Sequence, residues 1–211
     1  MAIFSLYRRF RTVPNVVTLV RPVSTLPFVL LSARAQHPDA VGARWGTLLL
    51  YAVIVGSDVL DGWLARRLQQ ESALGRILDH VCDVLFILTA LGAFAARHLV
   101  PWWLPAAIAW AFALYVVDSW WRTTGQPQRR LLGSRVGHLG GVLYYIAVGV
   151  VTVRLCTDGR WLPPSLLPGW FLSLALLALL SGAERLYYLV RTLSPASPGA
   201  PTAENPPPSD R

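Results

Sequence analysis

Four aspartates fall within 26 residues of the chain, in segments that are otherwise apolar: Asp58, Asp61, Asp79 and Asp83. One carboxylate at membrane depth costs roughly 3 kcal/mol on insertion scales, so four together need compensating charge. Oxygen ligands without Cys or an obligatory His suit hard divalent ions, and four carboxylates suit a pair of Mg²⁺ or Mn²⁺ ions. Because two such ions clamp the attacking and leaving oxygens of an in-line displacement, we expect phosphoryl chemistry here.

The spacing of these aspartates predicts two helices that position the carboxylates. Asp58 and Asp61 lie three residues apart, whereas Asp79 and Asp83 lie four apart. Residues at either spacing share one face of a helix. An antiparallel hairpin that turns at about residues 69–74 would therefore bring the two acidic faces together near one end.

Small and polar residues accompany the carboxylates. Gly62 and Ala65 lie on or beside the first acidic face, and Gly75 takes the same place on the second helix. Bulky side chains there would block a ligand. Arg66 follows Gly62 by one turn and can offer several donors to a diphosphate, and Ser72 in the turn adds a hydroxyl.

A single aspartate in a membrane span can have roles other than catalysis. An isolated one can relay protons or line an ion pathway, and an Asp–Arg pair can be purely structural. A small cation-coupled transporter is therefore the alternative from a different class. A scaffold without chemistry leaves the four-carboxylate hairpin unexplained.

The hairpin resembles the signature of the CDP-alcohol phosphatidyltransferases, DxxDGxxAR followed after a short gap by GxxxDxxxD. Every position of that signature is present, with eight residues between Arg66 and Gly75. The segment Pro14–Arg21 is also similar to the PNxxTxxR motif of that family. The resemblance covers most of the apolar part of the chain.

The resemblance implies a fold, a reaction and a set of site residues. Members have six transmembrane helices, usually form homodimers and transfer a phosphatidyl or phospho-alcohol group from a CDP-linked donor to an acceptor hydroxyl, with release of CMP. Two Mg²⁺ or Mn²⁺ ions would be held by Asp58, Asp61, Asp79 and Asp83. Asp83 would also be the base that removes the acceptor proton. The CDP moiety would be bound at Gly62, Ala65, Arg66, Ser72 and Gly75.

The acceptor is expected to bind near the loop between the fourth and fifth spans. The candidate residues are Arg122, Arg135 and His138, although an ion pair between Asp118 and Arg122 would also explain that arginine. His138 stands where several members of the family have a lysine. The leading expectation is a phosphatidylglycerophosphate synthase-like enzyme that uses CDP-diacylglycerol and glycerol-3-phosphate. The alternatives are inositol phosphate, a polyol or phosphatidylglycerol as acceptor, or CDP-choline or CDP-ethanolamine with diacylglycerol.

Composition indicates an all-α integral membrane protein. Only 14% of the 211 residues are charged and 54% are hydrophobic, whereas soluble domains carry roughly 25% charged residues. Spans of about 20 residues are expected at 16–32, 43–67, 74–97, 102–121, 136–155 and 170–193. A short amphipathic interfacial helix is expected over the first dozen residues. The membrane domain is predicted to cover 1–193, and the Pro-rich segment 194–211 is predicted to be a disordered tail.

The positive charge comes from arginine alone. The chain has 19 Arg, no Lys and a net charge of +8, but the arginines lie between apolar runs, which does not favour nucleic-acid binding. With the N-terminus inside, 14 of them fall on the cytoplasmic side and 5 outside. This excess predicts that both termini and the acidic hairpin face the cytoplasm. The expected location is a bacterial inner membrane.

Overall fold

The computed structural model describes residues 13–37, 39–69, 72–122, 135–157, 159 and 163–193. Within these ranges the chain is helical and contains no strand. The helices are α1 (Val13–Thr18), α2 (Val20–Arg34), α3 (Val41–Arg67), α4 (Ala73–Ala95), α5 (Trp103–Arg122), α6 (Arg135–Cys156) and α7 (Leu167–Leu193), with a 3₁₀ turn at Pro164–Leu166 before α7.

Six helical segments of the described residues are long and apolar enough to cross a membrane, which confirms the predicted number of spans. The first runs through α1 and α2, from Val16 to Arg34. The last helix begins at Leu167, three residues before the predicted start of that span. The amphipathic helix predicted for the first dozen residues and the predicted tail at 194–211 lie outside the described residues.

The first span consists of two helices that meet at Leu19. Pro14 lies inside α1, directly after Val13. A proline in the first turn is tolerated because its missing N–H would have no intrahelical partner there. Since α1 packs against both α3 and α4, the junction of α1 and α2 lies beside the acidic hairpin.

Helix α4 is central to the bundle, because α1, α2, α5 and α6 all pack against it. Phe28 of α2 makes edge-on contacts with Phe86 and Phe94 of α4, at ring-centroid distances of 5.5 and 6.1 Å. Helix α7 packs mainly against α5 and also contacts α6. This packing leaves a space between α4, α5, α6 and α7.

The hairpin between α3 and α4 has its own local determinants. Helix α3 ends at Arg67, and Gln69 then takes a left-handed backbone conformation with φ of 51°. Ser72 caps α4, because its hydroxyl oxygen accepts a hydrogen bond from the Gly75 amide at 2.9 Å. Such a cap satisfies a backbone donor that the first turn leaves without a partner.

Candidate active site

The four aspartates of the hairpin meet between α3 and α4. Carboxylate oxygens of Asp58, Asp61 and Asp79 all lie within 4.8 Å of one another. Asp61 is buried, and Asp58, Asp79 and Asp83 are partly exposed. The structure therefore brings together the acidic faces that the helical spacing defined.

Arg21 lies in the middle of this cluster, with none of its side chain exposed. Its Nη2 contacts Asp58 Oδ1 at 2.8 Å and Asp61 Oδ2 at 3.3 Å, and its Nη1 contacts Asp79 Oδ1 at 2.9 Å and Asp83 Oδ1 at 2.5 Å. One guanidinium thus bridges all four carboxylates. From the sequence, Arg21 was noted only as the last residue of the PNxxTxxR motif. A charged residue inside an apolar span is itself an indication of a functional role.

The charges of the cluster do not balance. Four carboxylates bring four negative charges and Arg21 returns one positive charge, so three negative charges remain if all the groups are ionised. The cluster offers carboxylate oxygens, and no Cys or His of the described residues belongs to it. Oxygen atoms are the ligands that Mg²⁺ and Mn²⁺ prefer. The residues present therefore fit one or two divalent cations.

Two hydroxyl groups bind the aspartates from outside the hairpin. The Thr18 hydroxyl donates to Asp61 Oδ2 at 2.8 Å and also lies 3.1 Å from the Pro14 carbonyl oxygen. The Tyr145 hydroxyl of α6 donates to Asp83 Oδ1 at 2.6 Å. Tyr145 was not predicted, because nothing in its local sequence distinguishes it from the other tyrosines of the spans.

The predicted nucleotide-binding residues border the cluster on the side of the turn. Gly62 has open space beside it, since a β-carbon built there would meet only Arg66 Nη1, at 3.7 Å. Arg66 is exposed, whereas Ala65 and Gly75 are partly buried. The Ser72 oxygen is held by the helix cap, so the hydroxyl proton is the part of this group that remains for a ligand.

A cavity of about 400 Å³ opens from the acidic cluster into the space between α4, α5, α6 and α7. Asp58, Asp79 and Asp83 form one wall, and Arg185 and Ser181 of α7 form part of another. Apolar and aromatic side chains line much of the remainder, among them Ile87, Ile108, Phe112 and Tyr115.

Of the three predicted acceptor residues, His138 lines this cavity. The backbones of Arg122 and Arg135 lie at the end of α5 and the start of α6, and their side chains are outside the described part of the chain. Arg185 of α7 also lines the cavity.

Arg185 is anchored by a buried ion pair. Its Nη1 donates to Asp118 Oδ2 of α5 at 3.0 Å, and its guanidinium carbon lies 5.1 Å from the centre of the Tyr115 ring. Asp118 therefore has a partner on another helix, 67 positions along the chain. Arg185 Nη2 is buried and has no hydrogen-bond partner among the described residues.

Comparison with known proteins agrees with this geometry. Residues 11–181 match the family model described as CDP-alcohol phosphatidyltransferase. The chain belongs to this family. As a CDP-alcohol phosphatidyltransferase with six apolar helices, it is a multi-pass membrane enzyme of phospholipid synthesis.

Similar curated proteins of this family include cardiolipin synthases and glycerol-3-phosphate phosphatidyltransferases. A cardiolipin synthase (CMP-forming) of Streptomyces coelicolor is 32% identical over 168 residues, which cover 79% of this chain and 72% of that protein. A CDP-diacylglycerol–glycerol-3-phosphate 3-phosphatidyltransferase of Pseudomonas fluorescens is 34% identical over 97 residues, covering 46% of this chain and 48% of that protein. A cardiolipin synthase (CMP-forming) of Oryza sativa is 28% identical over 163 residues, or 72% of this chain and 48% of that protein. The matched region thus spans about half the length of two of these three relatives.

Proposed function

We propose that this transferase moves the phosphatidyl group of CDP-diacylglycerol to the glycerol hydroxyl of phosphatidylglycerol and releases CMP. The product of that transfer is cardiolipin. The observation that carries the proposal is the cavity next to the four aspartates. The lining of this cavity is largely apolar, and among the described residues Arg185 is the one arginine that lines it.

The donor would be bound at the hairpin. Asp58, Asp61, Asp79 and Asp83 would hold two Mg²⁺ or Mn²⁺ ions, which supply positive charge to the donor diphosphate when bound. Gly62, Ala65 and Gly75 would let the nucleotide approach the helices closely. Arg66 and Ser72 would donate hydrogen bonds to the CDP moiety.

Asp83 would act as the base. It lines the cavity, and 20% of its side chain is exposed. The acceptor oxygen would form a bond to the donor phosphorus while the bond from that phosphorus to CMP breaks. The proton of the hydroxyl would pass to Asp83, a transfer that contributes typically about 100-fold or more to such rates.

The charge of the cavity favours a phosphodiester acceptor. Phosphatidylglycerol carries one negative charge on its phosphate, which the free Nη2 donor of Arg185 could bind. Glycerol-3-phosphate carries close to two negative charges at neutral pH, and His138 replaces the lysine that several members of the family have at this position. The apolar side chains that continue the cavity, such as Ile87 and Ile108, suit the acyl chains of a lipid acceptor.

Glycerol-3-phosphate is the second candidate, and it was the leading expectation from the sequence. The relative in Pseudomonas fluorescens, which is named for that acceptor, supports it. The acceptor residues predicted from the sequence, Arg122 and Arg135, would supply the additional positive charge if their side chains reach the cavity.

The test is a screen of the purified full-length protein in lipid vesicles with labelled CDP-diacylglycerol and Mg²⁺ or Mn²⁺. Phosphatidylglycerol, glycerol-3-phosphate, inositol phosphate and serine are offered in turn, and CMP and the lipid product are measured. We expect release of CMP with phosphatidylglycerol, and a rise of roughly tenfold or more in its KM in Arg185→Met. CMP release with glycerol-3-phosphate alone would refute this acceptor, and an absence of CMP release with every acceptor would refute the transferase proposal.

We further propose that the acidic hairpin faces the cytoplasm of a bacterial cell and that the enzyme works as a homodimer in the inner membrane. The excess of arginine on one side of the spans supports the orientation. The family resemblance is the basis for the dimer, and cross-linking in native membranes tests it.

A further inference from the structure

Tyr145 contacts the proposed base but has no role in the reaction as described so far. Its hydroxyl donates to Asp83 Oδ1 at 2.6 Å, and its ring centre lies 5.5 Å from that of Phe86. Its backbone carbonyl accepts a hydrogen bond from the Tyr51 hydroxyl at 2.9 Å. Contacts with α3 and α4 therefore hold both the ring and the backbone of this residue in place.

The two contacts of the Asp83 carboxylate fall on the same oxygen. Oδ1 accepts from Tyr145 and contacts Arg21 Nη1. No hydrogen bond or ion pair with a described residue falls on Oδ2. Asp83 lines the cavity and is partly exposed, so Oδ2 is the oxygen that remains for an acceptor hydroxyl or a cation.

An aspartate needs such an anchor because its terminal torsion has a broad energy minimum, so the carboxylate turns easily about the bond to the β-carbon. A hydrogen bond to one oxygen restricts that rotation and fixes the position of the other. A displacement of a reacting group by about 1 Å can cost on the order of 100-fold in rate.

We propose that Tyr145 is a positioning residue, which holds Oδ1 of Asp83 so that Oδ2 faces the acceptor hydroxyl. This inference rests on the proposed role of Asp83 as the base. It extends the site beyond the aspartate signature to α6, which the sequence connected with the acceptor alone.

The test substitution is Tyr145→Phe, which removes the hydroxyl and leaves the ring against Phe86. The comparison variant is Tyr51→Phe, which removes the hydrogen bond to the Tyr145 carbonyl and keeps the Tyr145 hydroxyl on Asp83, so that it separates a loss of backbone support from a loss of the contact with Asp83. Asp83→Asn is measured in parallel. The readouts for each full-length variant in vesicles are kcat, the KM for CDP-diacylglycerol, the Mn²⁺ concentration at half-maximal activity and the thermal unfolding midpoint.

We expect kcat of Tyr145→Phe to fall roughly tenfold or more, with the donor KM, the Mn²⁺ requirement and the unfolding midpoint close to those of Tyr51→Phe. An unchanged kcat in Tyr145→Phe, when Asp83→Asn is inactive, would overturn the positioning role and leave the base assignment intact. Parallel changes in all four readouts would also overturn it, because they indicate a structural role. An active Asp83→Asn would instead refute the base assignment itself.

Discussion

Replacement of Arg21 by Met should make the stability of the enzyme depend on divalent cations. Arg21 is fully buried and contacts all four aspartates of the hairpin. Met keeps much of the length and the apolar stem of the side chain but removes the positive charge. In the absence of metal, the variant leaves the four carboxylates facing one another.

The size of the effect follows from the distances. Carboxylate oxygens of three of the aspartates lie within 4.8 Å of one another. Two unit charges at that distance repel by about 3 kcal/mol at an effective dielectric constant near 20. Removal of one member of a buried ion pair costs roughly 3–5 kcal/mol by comparison. Since roughly 2–4 °C of unfolding temperature corresponds to 1 kcal/mol in a chain of this size, the midpoint should fall by about 6 °C or more.

The assay is thermal unfolding of detergent-solubilised protein, followed by tryptophan fluorescence, in EDTA and in saturating Mg²⁺. We expect a large loss in EDTA and recovery of most of it in Mg²⁺, because a bound cation replaces the missing positive charge. The control is Arg97→Met, which removes a guanidinium that donates to the Ala93 carbonyl at 3.1 Å and contacts none of the four aspartates. Its unfolding midpoint should shift by the same amount in both conditions.

Two results would contradict this reasoning. If Arg21→Met unfolded at the wild-type temperature in EDTA, Arg21 would not be the group that neutralises the carboxylates. If its midpoint fell but Mg²⁺ gave no more recovery than it gives Arg97→Met, the loss would come from packing and the cluster would not bind the ion.

Three further predictions concern other parts of the bundle. Thr18→Val should lower stability by about 1–3 kcal/mol, because the buried Asp61 loses a donor, whereas Thr18→Ser should stay near wild type in the same unfolding assay. Gly182→Ala should destabilise by about 1–3 kcal/mol through overpacking, since a β-carbon there would collide with the Trp110 ring; an unchanged unfolding midpoint would show that the ring moves aside freely. A single cysteine introduced as Gln69→Cys in a cysteine-free background should react with an impermeant maleimide in inside-out vesicles and not in intact cells, and the reverse labelling would place the hairpin outside.

The acidic hairpin could be predicted from the sequence because its determinants are local. Spacings of three and four residues define the acidic faces of α3 and α4, and the short turn keeps these faces close at one end. The helices of the first span, α1 and α2, pack against both α3 and α4. The number of spans could be predicted for a similar reason, since each depends on the composition of one continuous segment.

The remaining contacts depend on how separate helices pack, which local periodicity does not determine. Tyr145 reaches Asp83 from 62 positions away, and Arg185 reaches Asp118 from 67 positions away. The sequence indicated Arg122, four positions along the same helix, as a possible partner for Asp118, and the side chain of Arg122 lies outside the described part of the chain. The division of the first span into α1 and α2 at Leu19 was not predicted either.

The N-terminal motif and the aspartate signature form a single electrostatic unit. Burial of Arg21 or of Asp61 without the other would leave a charge without its counterion, which is strongly destabilising. Each set therefore requires the other, and the first span brings Thr18 of α1 and Arg21 of α2 to the hairpin. If catalysis needs divalent ions at the same carboxylates, Arg21 and the ions must share the carboxylate oxygens. A single arginine suits this arrangement, because it partly neutralises the cluster and still leaves negative charge to attract the ions.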